Sequence, residues 1–215
     1  RLLEAIVRSG MVKKTKFYQA SSSEMFGRVK KLPITEETPF SPRSPYAAAK
    51  IFAHNMTGYY REAHGLFACC GILFNHESPK RGETFVTRKI TKGVARIKLG
   101  LQDKLKLGDL TPKRDWGYAP EYVEGMWRML QAEKPDDYVI ATNESHSVEE
   151  FAQEAFSRAG LVWTDHVEHD QRQVRGMDLD EVRGSPDKIR ERLGWEPKIK
   201  FNELIRIMLD HDLKQ

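Results

Sequence analysis

Cysteine is nearly absent: 215 residues contain only Cys69 and Cys70. Two adjacent thiols exclude a disulfide framework and offer no zinc-finger spacing, so they read as small core residues of a reducing compartment. No apolar run reaches the roughly 18 to 20 residues that span a bilayer, and no signal-peptide pattern begins at Arg1. The expectation is a soluble cytoplasmic protein without a membrane partner. Tracts of one charge sign are missing too. Lys and Arg exceed Asp and Glu by a formal +4 but are scattered among the acids, with no arginine-rich tract and no aromatic-basic RNA motif. A solvated surface with a pocket for an anionic ligand accounts for the excess, and nucleic acid is not expected as a partner. No internal repeat and no low-complexity segment interrupts the chain.

What is present is an ordinary globular mixture, 40% hydrophobic and 31% charged, long enough for one large domain or two small ones. A helix tail closes at Gly10, and a short strand runs from Lys16 to Ala20. A loop rich in proline (Pro33, Pro39, Pro42) precedes a helix from Ser44 to His64, ended by Gly65. Leu66 to Phe74 reads as a strand apolar on both faces, as in a parallel sheet. Helices are expected near 85–98, 120–131, 147–159, 187–193 and 202–213, and strands at 105–108 and 138–141, with a loop over 111–116. Ser147 and Glu150 form a capping box. Alternating strands and helices argue for an α/β fold.

Two clusters carry chemistry. Tyr46 and Lys50 are four apart on a helix that Ser44 caps and Pro45 begins, so an ammonium can sit beside the phenol and favour its ionised form. A solvated helix face gives the same spacing. Upstream, Lys16-Phe17-Tyr18-Gln19-Ala20 delivers Ser21-Ser22-Ser23-Glu24 to the C-terminal end of a strand, where open α/β sheets bind ligands. Glu24 read alone fits a loop-end carboxylate accepting backbone N–H groups equally well. His166 and His169, with Asp165 and Asp170, lack a helix or a third placed ligand, and no metal site is assigned.

Three runs carry a resemblance that extends over nearly the whole chain: Gln19 to Gly27 (QASSSEMFG), Pro42 to Lys50 (PRSPYAAAK) and Gly71 to Pro79 (GILFNHESP). Together they resemble the extended short-chain dehydrogenase/reductase superfamily. The longer run Asn75 to Ile90 is similar, within it, to the GDP-mannose 4,6-dehydratases. The resemblance implies a Rossmann-type parallel sheet over about 1–74 and 112–144, and a smaller mixed nucleotide-sugar-binding domain over about 75–111 and 145–215. It also implies NADP as cofactor, GDP-mannose as substrate, a homo-oligomer (dimer or tetramer) and a place in GDP-fucose biosynthesis.

Residue roles follow from the same resemblance. Tyr46 removes the 4-hydroxyl proton, Lys50 supports it and bonds the nicotinamide ribose, and Ser22 holds the 4-oxygen as it becomes a carbonyl. Glu24 takes the C5 proton and delivers one to the departing 6-hydroxyl, a relay that reductases and epimerases do not need. His76 and Arg81 contact the cofactor; Asn75, Val86, Lys89, Arg114, Arg175 and Asp178 bind the sugar nucleotide. Gly176 and Asp178 stand where the family has Pro and Glu.

The Gly-rich strand-turn-helix that holds the dinucleotide pyrophosphate in such folds is not among these residues. The expectation is the C-terminal portion of a longer enzyme, or the product of a gene whose N-terminal part was lost or split. Such a chain is expected to bind GDP-mannose better than NADP, to lack turnover alone, and to leave a sheet edge unpaired. Two alternatives stay open: a reductase or epimerase of the same superfamily, and a non-catalytic sugar-nucleotide-binding or assembly subunit.

Overall fold

The computed structural model describes residues 1–173 and 181–215. Its elements in chain order are α1 (Leu2–Arg8), β1 (Lys16–Ser22), α2 (Pro45–His64), β2 (Phe67–Leu73), β3 (Asn75–Glu77), α3 (Val86–Lys98), β4 (Leu105–Leu107) and β5 (Lys113–Arg114). There follow β6 (Trp116–Tyr118), α4 (Ala119–Gln131), β7 (Asp137–Ile140), β8 (His146–Ser147), α5 (Val148–Arg158), β9 (Val167–His169), β10 (Glu181–Val182), α6 (Asp187–Leu193) and α7 (Phe201–Asp212).

The helix that carries Tyr46 and Lys50 is fixed at both ends by local chemistry. Ser44 accepts the Ala47 N–H at 3.0 Å and Pro45 fills the first turn. At the other end Gly65 adopts φ 63° and returns its N–H to the Tyr60 carbonyl, a left-handed closure that glycine makes without strain. Ser147 and Glu150 exchange the two bonds of the capping box at the start of α5.

The main sheet is parallel, in the order β1-β2-β7. Central β2 is buried along nearly its whole length, which is why its sequence is apolar at consecutive positions. Its two thiols face opposite layers: Cys69 lies against the Met129 carbonyl of α4, and Cys70 against the His54 carbonyl of α2. So α2 covers one face of the sheet, while α4 packs on β1 and β2, and α6 on β7, from the other. Among the described residues β1 has no strand on its outer edge.

A second core gathers α3, α5 and α7 around Ile90, Val94, Trp116, Phe151, Phe156, Leu204, Ile205 and Met208. Each such side chain contributes about 1.5–3 kcal/mol relative to exposure. Arg88 on α3 pairs with Asp212 on α7 inside this layer, both almost fully buried. The segment expected as a loop over 111–116 instead contributes β5 and the start of β6. Lys113–Arg114 pairs with β8 and β10 and Trp116–Tyr118 with β3, so these strands are made by partners distant in the chain.

Candidate active site

The register of the sheet assembles the site. Ser22, the last residue of β1, stands beside Leu73, the last of β2, so the Ser22–Glu24 and Asn75–Glu77 segments leave the sheet at the same C-terminal edge. β1 runs two residues further than the sequence pattern indicates and turns directly into a short 3-10 helix, Ser23–Phe26. The Ser22 hydroxyl caps this turn by accepting the Glu24 N–H at 3.3 Å, which leaves its own proton to donate. Gly27 at φ 56° closes the turn. A side chain there would collide with the Ser41 carbonyl, whose residue bonds back to Met25, so the Pro-rich loop lies tight against the turn.

Glu24 is exposed, and its Oε2 accepts from the Ser44 hydroxyl at 3.4 Å. Tyr46, two residues on, keeps half its surface in solvent. The Lys50 ammonium lies 5.5 Å from the centroid of the Tyr46 ring and donates to the Ala20 carbonyl at 2.8 Å, using one of three donors. Ser22, Glu24, Tyr46 and Lys50 are therefore joined by three links: the capped turn, the Ser44 hydroxyl and the Ala20 carbonyl.

Beneath them lies a polar layer built on His54, Arg61 and Asp137, which the sequence pattern does not single out. His54 is one turn beyond Lys50 on the same face of α2, a spacing that signals its approach to the sheet. Its Nδ1 lies 2.9 Å from the buried Ser21 hydroxyl, and its Nε2 3.7 Å from Asp137. Burial keeps the imidazole below its ordinary pKa, the Asp137 charge opposing and the Arg61 charge adding to the effect. Arg61 holds Asp137 in a fork at 2.8 and 3.0 Å. His54, Cys70 and Asp137 are close enough to converge on one ion, but the carboxylate is engaged by that guanidinium.

On β3, His76 donates from Nδ1 to the Phe74 carbonyl at 2.8 Å and stacks on Tyr122. Burial lowers its pKa, and with Nδ1 as the donor Nε2 is the acceptor nitrogen of the neutral ring. Arg81 lies 3.2 Å from the buried Glu77 and 3.6 Å from the centroid of the Phe85 ring. Asn75 opens β3; Val86 and Lys89 stand on the first turns of α3, half-buried. Burial lowers the Lys89 pKa against the opposing charge of Asp170. Arg114 is half-buried on β5 and donates to the Lys113 carbonyl at 2.9 Å. Arg175 and Asp178 lie outside the described residues. His166 and His169, considered as metal ligands from sequence, bond the carbonyls of Asp103 and Gly108 at the two ends of β4.

Asp115, beside Arg114, is fully buried. It accepts from Thr142 N and Oγ1 at 2.8 and 2.7 Å, Asn143 N at 3.1 Å and Gly184 N at 3.2 Å, pinning the junction of β5 and β6 to the segments that follow β7 and β10. Burial outweighs these bonds and pushes its carboxyl up to about 6. Its signal in the sequence is faint: one acid between two residues that enter strands.

The family model described as GDP-mannose 4,6 dehydratase matches residues 1–208. GDP-mannose 4,6 dehydratase 1 of Arabidopsis thaliana is 58% identical over 217 residues, covering 100% of this chain and 60% of the plant protein. The human GDP-mannose 4,6 dehydratase is 46% identical over 231 residues, covering 100% and 62%. The chain thus spans about 60% of the length of these curated relatives. Among solved structures, RMD from Pseudomonas aeruginosa complexed with NADPH superposes with a TM-score of 0.89 at 26% identity, over 99% of this chain and 71% of that one. The dTDP-glucose 4,6-dehydratase of Bacillus anthracis in complex with NAD, 23% identical with a TM-score of 0.87, shares the fold over 100% of this chain and 66% of its own.

Proposed function

The chain belongs to the GDP-mannose 4,6-dehydratase family, and from that premise we propose that it supplies the acid-base residues and much of the nucleotide-sugar site of an enzyme converting GDP-mannose to GDP-4-keto-6-deoxymannose. The carrying observation is Glu24, a solvent-facing carboxylate fixed to the cap of the helix that bears Tyr46 and Lys50. An enzyme that only moves hydride at C4 has no use for this extra base.

The residues fit a nicotinamide dinucleotide, with NADP as the proposed form. Lys50 retains donors beyond the one given to Ala20, neutral His76 offers Nε2, and Arg81 offers terminal N–H groups to phosphate. When bound, such a cofactor accepts hydride from the sugar and returns it. Tyr46 withdraws the 4-hydroxyl proton, assisted by the nearby ammonium of Lys50. Ser22 donates to the 4-oxygen as it gains carbonyl character, because its capping bond engages the oxygen and not the hydrogen. The 4-ketone acidifies C5–H; Glu24 takes that proton and passes one to the departing 6-hydroxyl, so water leaves and the carboxylate is restored.

Asn75, Val86, Lys89, Arg114, Arg175 and Asp178 are proposed to hold the sugar nucleotide, with Asp115 keeping Arg114 in place. The proposed division assigns 1–74 and about 112–144 to the cofactor domain and the remainder to the sugar-nucleotide domain. Self-association is assigned to the outer face of α2, where Phe52 and Tyr59 lie two turns apart and are 69% and 56% exposed. A reducing cytoplasm suits the two free, buried cysteines, and among the described residues no helix is long and apolar enough to cross a membrane. Incubation of the complete encoded polypeptide with GDP-mannose and NADP tests the reading: a 4-keto-6-deoxy product without net NADPH supports it, and stoichiometric NADPH with a 6-hydroxylated ketone refutes it.

A further inference from the structure

Glu77 is the least exposed carboxylate near the cofactor residues, at 1%. It ends β3, directly after His76, and the pairing of β3 with β6 sets it opposite Tyr118. A single oxygen, Oε2, meets two groups, one by a hydrogen bond and one by charge alone. The Thr87 hydroxyl donates to it at 2.5 Å from the first turn of α3, and Arg81 Nε lies 3.2 Å away. Arg81 is in addition covered by the Phe85 ring, whose centroid is 3.6 Å from the guanidinium carbon. Its plane is thus set by a carboxylate on one edge and an aromatic ring on one face. Burying a carboxylate is unfavourable unless charge and hydrogen bonds offset it, and here both offsets come from residues on either side of Phe85.

Because Glu77 faces the Nε edge as an ion pair, with Nε itself making no aligned hydrogen bond, the terminal Nη1 and Nη2 groups of Arg81 form a fork suited to two oxygens of a phosphate. We propose that Glu77 is a positioning residue: it orients the Arg81 guanidinium so that this fork meets a phosphate of the dinucleotide, and Thr87 anchors Glu77 so that the orientation is shared with the start of α3. The inference rests on the reading of Arg81 as a cofactor contact. It goes beyond that reading by giving the buried acid a role in ligand affinity that packing alone does not require. Neither Glu77 nor Thr87 touches the ligand in this account; both act through Arg81.

The test is a double-mutant cycle on NADPH affinity, read by fluorescence titration of the complete encoded polypeptide, with GDP-mannose affinity and the thermal midpoint recorded for each variant. Glu77→Gln keeps the shape and removes the charge. It is expected to weaken NADPH roughly tenfold, the order lost with one charge-assisted contact, and to leave GDP-mannose affinity within about twofold. Arg81→Gln is expected to weaken NADPH by at least as much, and the double variant by no more than Arg81→Gln alone. Thr87→Val removes only the anchor and is expected to weaken NADPH about threefold, a readout that stands if Glu77→Gln fails to fold. Unchanged NADPH affinity in the folded variants, or fully additive losses in the cycle, overturns the proposal while leaving the cofactor reading intact. No NADPH binding by the unaltered protein defeats the cofactor reading and this inference with it.

Discussion

The Ser44 hydroxyl lies between two functions, accepting the Ala47 N–H at 3.0 Å and reaching Glu24 Oε2 at 3.4 Å. The residue that starts the helix of Tyr46 also steadies the carboxylate proposed for water elimination. Ser44→Ala is expected to lower stability by about 1 kcal/mol, the usual effect of losing a side-chain cap. Urea unfolding measures this, and an unchanged midpoint would show that the cap contributes nothing.

Glu24→Gln removes the base and keeps the shape. Elimination is expected to slow by a factor on the order of 10² or more while hydride transfer from C4 persists, since the proposed mechanism gives the two steps to different residues. Single-turnover sampling separates them: the 4-ketone that still bears its 6-hydroxyl should accumulate. Water loss at the original rate would remove Glu24 from the mechanism.

These two residues also show what sequence can convey. Ser44, Gly65 and the Ser147–Glu150 box are legible because each is decided within about one helical turn, and β2 is legible because burial on both faces leaves a continuous apolar run. Tyr46 and Lys50 share a helix face for the same local reason. The two-residue strands β5, β8 and β10 leave no such mark, because pairing across distant segments creates them. Ser21 and His54 are 33 positions apart, and Arg61 and Asp137 76, so their bonds appear only when α2 lies on the sheet. Glu77 sits in a recognised run, yet its burial and its two partners are properties of the fold.

Arg61 links α2 to β7 through a forked pair with Asp137 and a bond to the Ala68 carbonyl at 3.1 Å. Burial would raise the Asp137 carboxyl, but Arg61 holds it below its ordinary range. Arg61→Ala strands that carboxylate and is expected to destabilise by about 3 kcal/mol, the lower end for a broken buried pair because both partners keep about a fifth of their surface exposed. A loss under about 0.5 kcal/mol in urea unfolding would show the pair to be ornamental.

Asp115 makes a pH prediction of opposite sign to the usual acid. Its folded value, pushed up to about 6 by burial, lies above its ordinary 3.8, so between those values the folded state binds more protons than the unfolded. Its contribution to stability therefore falls as pH rises from about 4 to about 6, by an amount on the order of 3 kcal/mol. Subtracting the stability profile of Asp115→Asn from that of the unaltered protein isolates this slope. A difference that is flat, or that rises over the window, contradicts the burial argument.

The central claim is that one site removes hydride at C4, eliminates water across C5 and C6, and returns the same hydride to C6. GDP-mannose carrying deuterium at C4, incubated with the complete encoded polypeptide and NADP, tests it directly by mass and NMR analysis of the product. Deuterium in the C6 methyl group of a 4-keto-6-deoxy sugar, with no build-up of deuterated NADPH, is the expected result. Deuterium retained on the cofactor, or a product that keeps its 6-hydroxyl, contradicts the claim.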